Sequence, residues 1–342
     1  MRRGRIAYHL VAAVVVVVLV LGWGALAPTA AEPVKIKVGY TVLGAELHPL
    51  YWEKPEILKN YGKSYTVEAT LFKGSSPQIQ AMAANELQIT GLAFSSYAIA
   101  VVNGQLDVKI IHDIMRDGVK GYFSQTWVTL ADSGLSKVED LKGKRVAINV
   151  AGAGVDLGLR SMMRKHKMED RKDFFITEVA FPNQEVMLRQ KKIDAGVLVQ
   201  PFYDKAMAGG GLQKIFDLGD ALGVTQFIMG VAKRDWLEAN RQVVVDYLED
   251  FLRAHRWFLD PANREEAVDI AARYSKVPRS VYASWLLTKR DWYRDRSAVP
   301  DIEALQRNID EMASLKFIKS PFEVKKYTDL SYLQAAQKRL TP

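Results

Sequence analysis

At 342 residues the chain is long enough for about two domains and for a core that needs no covalent staples. With 49% hydrophobic and 25% charged residues it falls outside the disordered and collagen-like classes. It has a net charge of +8 and no cysteine, which excludes disulfides, Cys-ligated zinc, thiol catalysis and a lipidated N-terminal cysteine.

Arg2, Arg3 and Arg5 precede an unbroken apolar run over 10–21, and 25–31 is rich in small residues. This is the order of a secretory signal, and it predicts cleavage after Ala31, with Thr29 and Ala31 at the two small-residue positions. The stretch 6–27 is also long enough to span a bilayer, so an uncleaved anchor is the alternative. With no lipobox cysteine, the exported chain is expected free in a periplasm.

The alternation at 34–40 (VKIKVGY) predicts a strand, followed by a short helix over 53–61 and a strand over 65–72. A helix over 77–85, a strand over 89–94, a helix over 97–102 and a strand over 108–114 complete a first unit. A second unit restarts with strands at 127–130 and 146–150 and a helix over 155–166. Strands at 174–180 and 195–199 follow, with 184–190 helical between them. Strands alternating with short helices predict parallel sheets covered on both faces. Beyond this the chain reads as helical. Val244, Tyr247, Leu248, Phe251, Leu252, His255 and Phe258 form one continuous stripe, which makes His255 a packed core histidine. Further helices are expected at 264–274, 279–288 and 301–315.

Enzyme signatures fail on inspection. The histidines past the signal, His48, His112, His166 and His255, have no zinc spacing, and no G-x-S-x-G elbow occurs, so neither metal nor cofactor is expected. Gly62-Lys63-Ser64 resembles the end of a phosphate loop, but the required earlier glycine is Ile57. Gly152, Gly154 and Gly158 imitate a dinucleotide fingerprint, yet the acidic Glu178 falls inside the next strand. The basic stretch 160–172 is interrupted by Glu169 and Asp170, which fits a solvated helix end and no nucleic-acid partner.

What remains is a set of strand-to-helix turns with one chemistry. Gly74, Ser75 and Ser76 follow one strand, with Ser76 as N-cap and Pro77 at the first helical position. Ser95 and Ser96 follow the next. Gly152, Ala153 and Gly154 follow a strand of the second unit, and Gln200 follows another. Free N–H groups, short hydroxyls and glycines at helix starts suit an anionic or strongly polar group, and ligands of open α/β sheets bind beyond the strand C-termini. Tyr40, Tyr51, Trp52, Trp127 and Phe227 are candidate cleft aromatics, with core packing as the alternative for each.

Ser133-Gly134-Leu135 followed by VEDLKGKRVAI over 138–148 resembles the second-lobe entry of transporter substrate-binding proteins of the nitrate/sulfonate/taurine type, related to thiamine-precursor binders. Val38-Gly39-Tyr40, Asn103-Gly104-Gln105-Leu106-Asp107 and Lys192-Ile193-Asp194-Ala195-Gly196 keep the same order. The resemblance implies an α/β, two-lobed periplasmic-binding-protein fold of type II-like form with a helical C-terminal segment. The restart at Trp127 and a helical tail that needs an apolar surface place lobe one at 32–124 plus 225–342 and lobe two at 125–224, and the resemblance implies that they close over a small anionic or zwitterionic solute. It further implies a monomer that serves an ABC permease and ATPase without catalysis. A periplasmic sensor is the alternative, and an exported enzyme on the same scaffold a distant one. The family's ligand contacts carry over to the turn residues named above. The second-lobe turn departs from the pattern: it lacks a serine or threonine and has Asp156 just inside its helix. That carboxylate either complements the helix dipole or faces the cleft, where it would favour an amine.

Overall fold

The computed structural model describes residues 32–103 and 106–340, and the signal reading lies outside them. Strand β1 (Val34–Tyr40) buries Ile36 and Val38 fully and leaves Lys35 exposed, as its alternation requires. It pairs in parallel with β2 (Tyr65–Leu71) and β3 (Ile89–Ala93), and β4 (Val108–Asp117) follows. In the second half, β5 (Thr126–Leu130) precedes β6 (Arg145–Ile148), β7 (Phe175–Glu178), β8 (Gly196–Leu198) and β9 (Leu212–Asp217). β6 pairs in parallel with β7, whereas β5 runs antiparallel between β8 and β9. The chain then returns as β10 (Thr225–Lys233), which enters the first sheet between β3 and β4 and runs antiparallel to both. Both halves are therefore mixed rather than all parallel, and the expectation of parallel sheets is corrected by β5, β9 and β10. The last two were not among the expected elements.

The first sheet is covered on both faces. One face carries Ile36, Ile111 and Ile228 beneath helix Arg241–Phe258, whose predicted stripe is buried along its whole length. The other face carries Leu92, Ile110 and Met229 beneath Ile302–Ser314. In the second half Trp127 stacks on Phe216 at 4.6 Å inside a separate apolar cluster. His255 lies in the core as expected: Tyr51 Oη is 2.6 Å from its Nδ1, and burial lowers its pKa to about 4.

Two expected helices are shorter than their patterns. Over 53–61 only Pro55–Ile57 winds, as a 3₁₀ turn, because the backbone N–H groups of Lys59, Asn60 and Tyr61 donate to Asp250 instead. Over 279–288 the helix stops at Ala283, and Leu287 adopts a left-handed conformation.

Candidate functional site

Helix α1 (Ser75–Ala83) starts one residue before Ser76. Gly74 is its N-cap in extended conformation, and Ser76 and Pro77 sit in its first turn, which corrects the expected cap. Proline is tolerated there because first-turn N–H groups have no intrahelical partner. Ser75 is tied to the neighbouring turn, its Oγ accepting from Ala93 N at 3.3 Å. From Ala93 the chain passes directly into α2 (Phe94–Val102), whose N-terminus has no capping side chain. Ser95 is fully buried in that first turn and its Oγ makes no hydrogen bond, while Ser96 is half-buried.

The second-half turn precedes α3 (Gly154–Lys165). Gly152 has φ +78°, a left-handed conformation that favours glycine, and its N–H donates to Asp156 Oδ2 at 2.9 Å. Asp156 Oδ1 accepts from Arg160 Nε at 2.8 Å, and Arg160 also reaches Asp170 at 3.0 Å. Burial raises the Asp156 pKa, against the pull of the Gly152 N–H and Arg160. The carboxylate thus turns back onto its own helix start, which decides between the two readings of this residue in favour of the dipole.

These turns meet. A Cβ on Gly154 would lie 2.7 Å from the Phe227 ring and 3.0 Å from Phe94, and one on Gly152 would lie 3.7 Å from Ile99. Phe94 and Phe227 pack edge to face at 5.8 Å, and Phe227 touches apolar clusters of both halves. The structure therefore brings Ser75, Ser95, Gly152, Gly154 and Phe227 to one junction between the halves. A hollow of about 510 Å³, lined by Ile99, Asn103, Phe317 and Lys319 among others, opens beside it. Phe94 was missed in the sequence; an aromatic just before two serines at a strand end was the available signal.

Other candidates lie elsewhere. Gln200 is fully buried, and its Nε2 donates to Asp204 Oδ1 at 2.9 Å and to Arg290 O at 3.1 Å. Tyr51 and Trp52 pack in the aromatic cluster of the first half, and Trp127 packs in the second-half core. Tyr40 is buried against His48, its hydroxyl 3.4 Å from that of Tyr274. Gly154→Val is accordingly expected to force the Phe94 and Phe227 rings apart and to destabilise the protein by about 2 kcal/mol, read from urea unfolding. An unchanged midpoint would mean that the rings yield without cost.

A family model described as the NMT1-like family matches residues 29–272. The chain belongs to the NMT1-like family. No curated protein sequence matches it. Among solved structures, this NMT1-like chain is similar to the periplasmic aliphatic sulphonate binding protein SsuA of Escherichia coli. Identity is 18% and the TM-score 0.69, over 86% of this chain and 97% of that one. It is similar to the periplasmic nitrate-binding protein NrtA of Synechocystis PCC 6803 at 14% identity and TM-score 0.69, over 91% and 90% of the two chains. The desulfurization enzyme DSZB matches at 11% identity and TM-score 0.64, over 90% and 99%. At these identities the likenesses establish the two-lobed fold of this NMT1-like chain; the scaffold serves binding proteins and an enzyme alike.

Proposed function

We propose that the protein is a periplasmic solute-binding component of an ABC importer. It takes up a small anionic or zwitterionic solute of the sulfonate, nitrate or taurine class between its lobes and delivers it, as a monomer, to permease and ATPase subunits. Lobe one comprises 32–124 and 225–342, and lobe two 125–224. Sheet membership supports this division, because β10 joins the first sheet while β5 to β9 pair only among themselves. The observation that carries the reading is the junction of the uncapped α2 start, with its buried and unbonded Ser95 hydroxyl, against the glycine turn of α3. Free helix-start N–H groups with a hydroxyl hold an anionic head without a formal counter-ion. The second-lobe turn contributes less, since Asp156 already occupies Gly152 N–H.

The test is a thermal-shift screen of the exported chain with nitrate, alkanesulfonates, taurine, carboxylates and pyrimidines, followed by calorimetry. A solute far above its Kd should add several kcal/mol of stability. Ser95→Ala is expected to weaken that solute about tenfold or more by removing one hydrogen bond to a charged group. Stabilisation by none of these classes would overturn the reading, and wild-type affinity in Ser95→Ala would move the site.

A further inference from the structure

The geometry points to two polar latches that hold the lobes shut from opposite faces of the first sheet. This inference rests on the reading that the halves are lobes which open and close, and it concerns what biases that motion. The first latch joins α3 to α4 (Ile302–Ser314). Arg164 Nη2 donates to both oxygens of Glu311 at 2.6 Å, and Arg164 Nη1 donates to Ser314 Oγ at 2.9 Å. Ser161, almost fully buried, donates to Glu311 Oε1 at 2.6 Å. Leu305, Ile309 and Met312 root α4 on the sheet face that carries Met229.

The second latch is made by the helix Phe202–Ala208 and the segment 284–290. Arg290 Nη2 donates to Asp204 Oδ1 at 2.8 Å, and Ser284 Oγ donates to Asp204 Oδ2 at 2.9 Å. Gln200, a residue expected to touch ligand, instead holds the carbonyl of Arg290. Trp285, within this segment, belongs to the cluster that carries Ile228. Ile228 and Met229 are successive residues of β10 and point to opposite faces, so the two latches flank the sheet.

A movement that draws α3 away from Ile302–Ser314 breaks the first set of contacts, and one that draws Phe202–Ala208 away from 284–290 breaks the second. The side chains are exposed to 46% and 24% in the Arg164–Glu311 pair and to 59% and 8% in the Arg290–Asp204 pair. Pairs this wet are individually weak and are screened by salt. In the first pair one guanidinium nitrogen faces both carboxylate oxygens, and in the second Ser284 holds the other oxygen of Asp204, which gives each pair direction. Together they favour the closed form without preventing opening, and a solute that binds the closed form gains affinity in proportion to the closed fraction. The packing of Phe227 against the apolar cluster of the second half also favours closure, but salt does not weaken it.

The absence of cysteine allows one label on each half through Glu86→Cys and Lys172→Cys, both exposed positions, for single-molecule distance measurements on the ligand-free chain. Glu311→Gln and Arg290→Gln spare the buried Asp204. Each is expected to raise the open population about three- to fivefold, and the two together roughly tenfold or more. Salt at about 0.5 M should do the same in the wild type and little in the double variant. The reversed pair Arg164→Glu with Glu311→Arg should restore closure. Two distances whose ratio ignores all these changes would overturn the latches while leaving the hinged reading intact. One fixed distance in every variant and salt would overturn both.

Discussion

Replacing Asp250 with alanine is expected to lower stability by about 3 kcal/mol while leaving solute affinity unchanged. Asp250 is fully buried on helix Arg241–Phe258, and its carboxylate is the anchor of a loop far away in sequence. Oδ1 accepts from Lys59 N at 2.7 Å, and Oδ2 accepts from Asn60 N at 2.8 Å, Tyr61 N at 2.9 Å and Tyr65 Oη at 3.0 Å. Alanine leaves four donors without that acceptor. Each fully buried orphan costs about 1–3 kcal/mol, and partial access of water to the three backbone groups of these exposed or half-buried residues brings the sum below the roughly 4 kcal/mol that four buried orphans would cost at the least. Asp250→Asn keeps one acceptor oxygen and should recover part of the loss. Urea unfolding reads the effect as a lower midpoint at constant slope. A loss below about 1 kcal/mol in Asp250→Ala would show that the loop is held by the stacking of Trp52 on Tyr61 instead.

Asp250 also marks a boundary of what the sequence makes legible. The apolar stripe from Val244 to Phe258 follows from spacing alone, since a helix that covers a sheet must bury one face. Asp246, Glu249 and Asp250 are buried beside that stripe, and nothing in a 3.6-residue period announces it. Their partners lie around Lys59, Asn60, Ser64 and Arg339, so burial of these carboxylates is decided by tertiary contact. The turns at Ser75, Ser95 and Gly152 were legible for the opposite reason: a strand end, a small residue and a helix start are adjacent in the chain. Strand order was not. β10 runs antiparallel between β3 and β4, and no local pattern in TQFIMGVAK tells which sheet it joins. Gln200 shows the same limit. Its place after a strand of the second half fits a ligand contact, yet residues some ninety positions later cover it.

The largest pH effect is expected at Glu46. Its carboxyl is fully buried: Oε1 accepts from Thr41 N and Thr41 Oγ1 at 2.6 Å, while Oε2 lies over Gly91 without a hydrogen bond. A Cβ on Gly91 would come within 2.1 Å of that oxygen, and one on Gly230 would come as close to His112 Nε2. Gly91 and Gly230 are paired across β3 and β10, so two bare backbone positions make the room for these side chains. Burial raises the Glu46 pKa from 4.5 to about 7, against the hydrogen bonds from Thr41 and Val42. Burial likewise lowers His48 to about 3 and His112 to about 4, so neither imidazole is charged near neutrality to offset the carboxylate. An acid with a raised folded-state pKa binds its proton more tightly folded than unfolded, so stability falls as pH rises from about 4.5 to about 7. The shift corresponds to roughly 3 kcal/mol over that window. Glu46→Gln keeps an acceptor for Thr41 and carries no titrating group. Its stability relative to wild type should therefore grow by about 3 kcal/mol between pH 4.5 and 7 and stay level above. Taking the difference cancels groups common to both proteins, such as Asp113 and Asp117, each raised by burial to about 6. A difference that does not change with pH would mean that Glu46 titrates as an ordinary carboxylate. A growing one would mean that the turn directly after β1 rests on a carboxyl that charges near neutrality, so raising the pH loosens that turn from beneath.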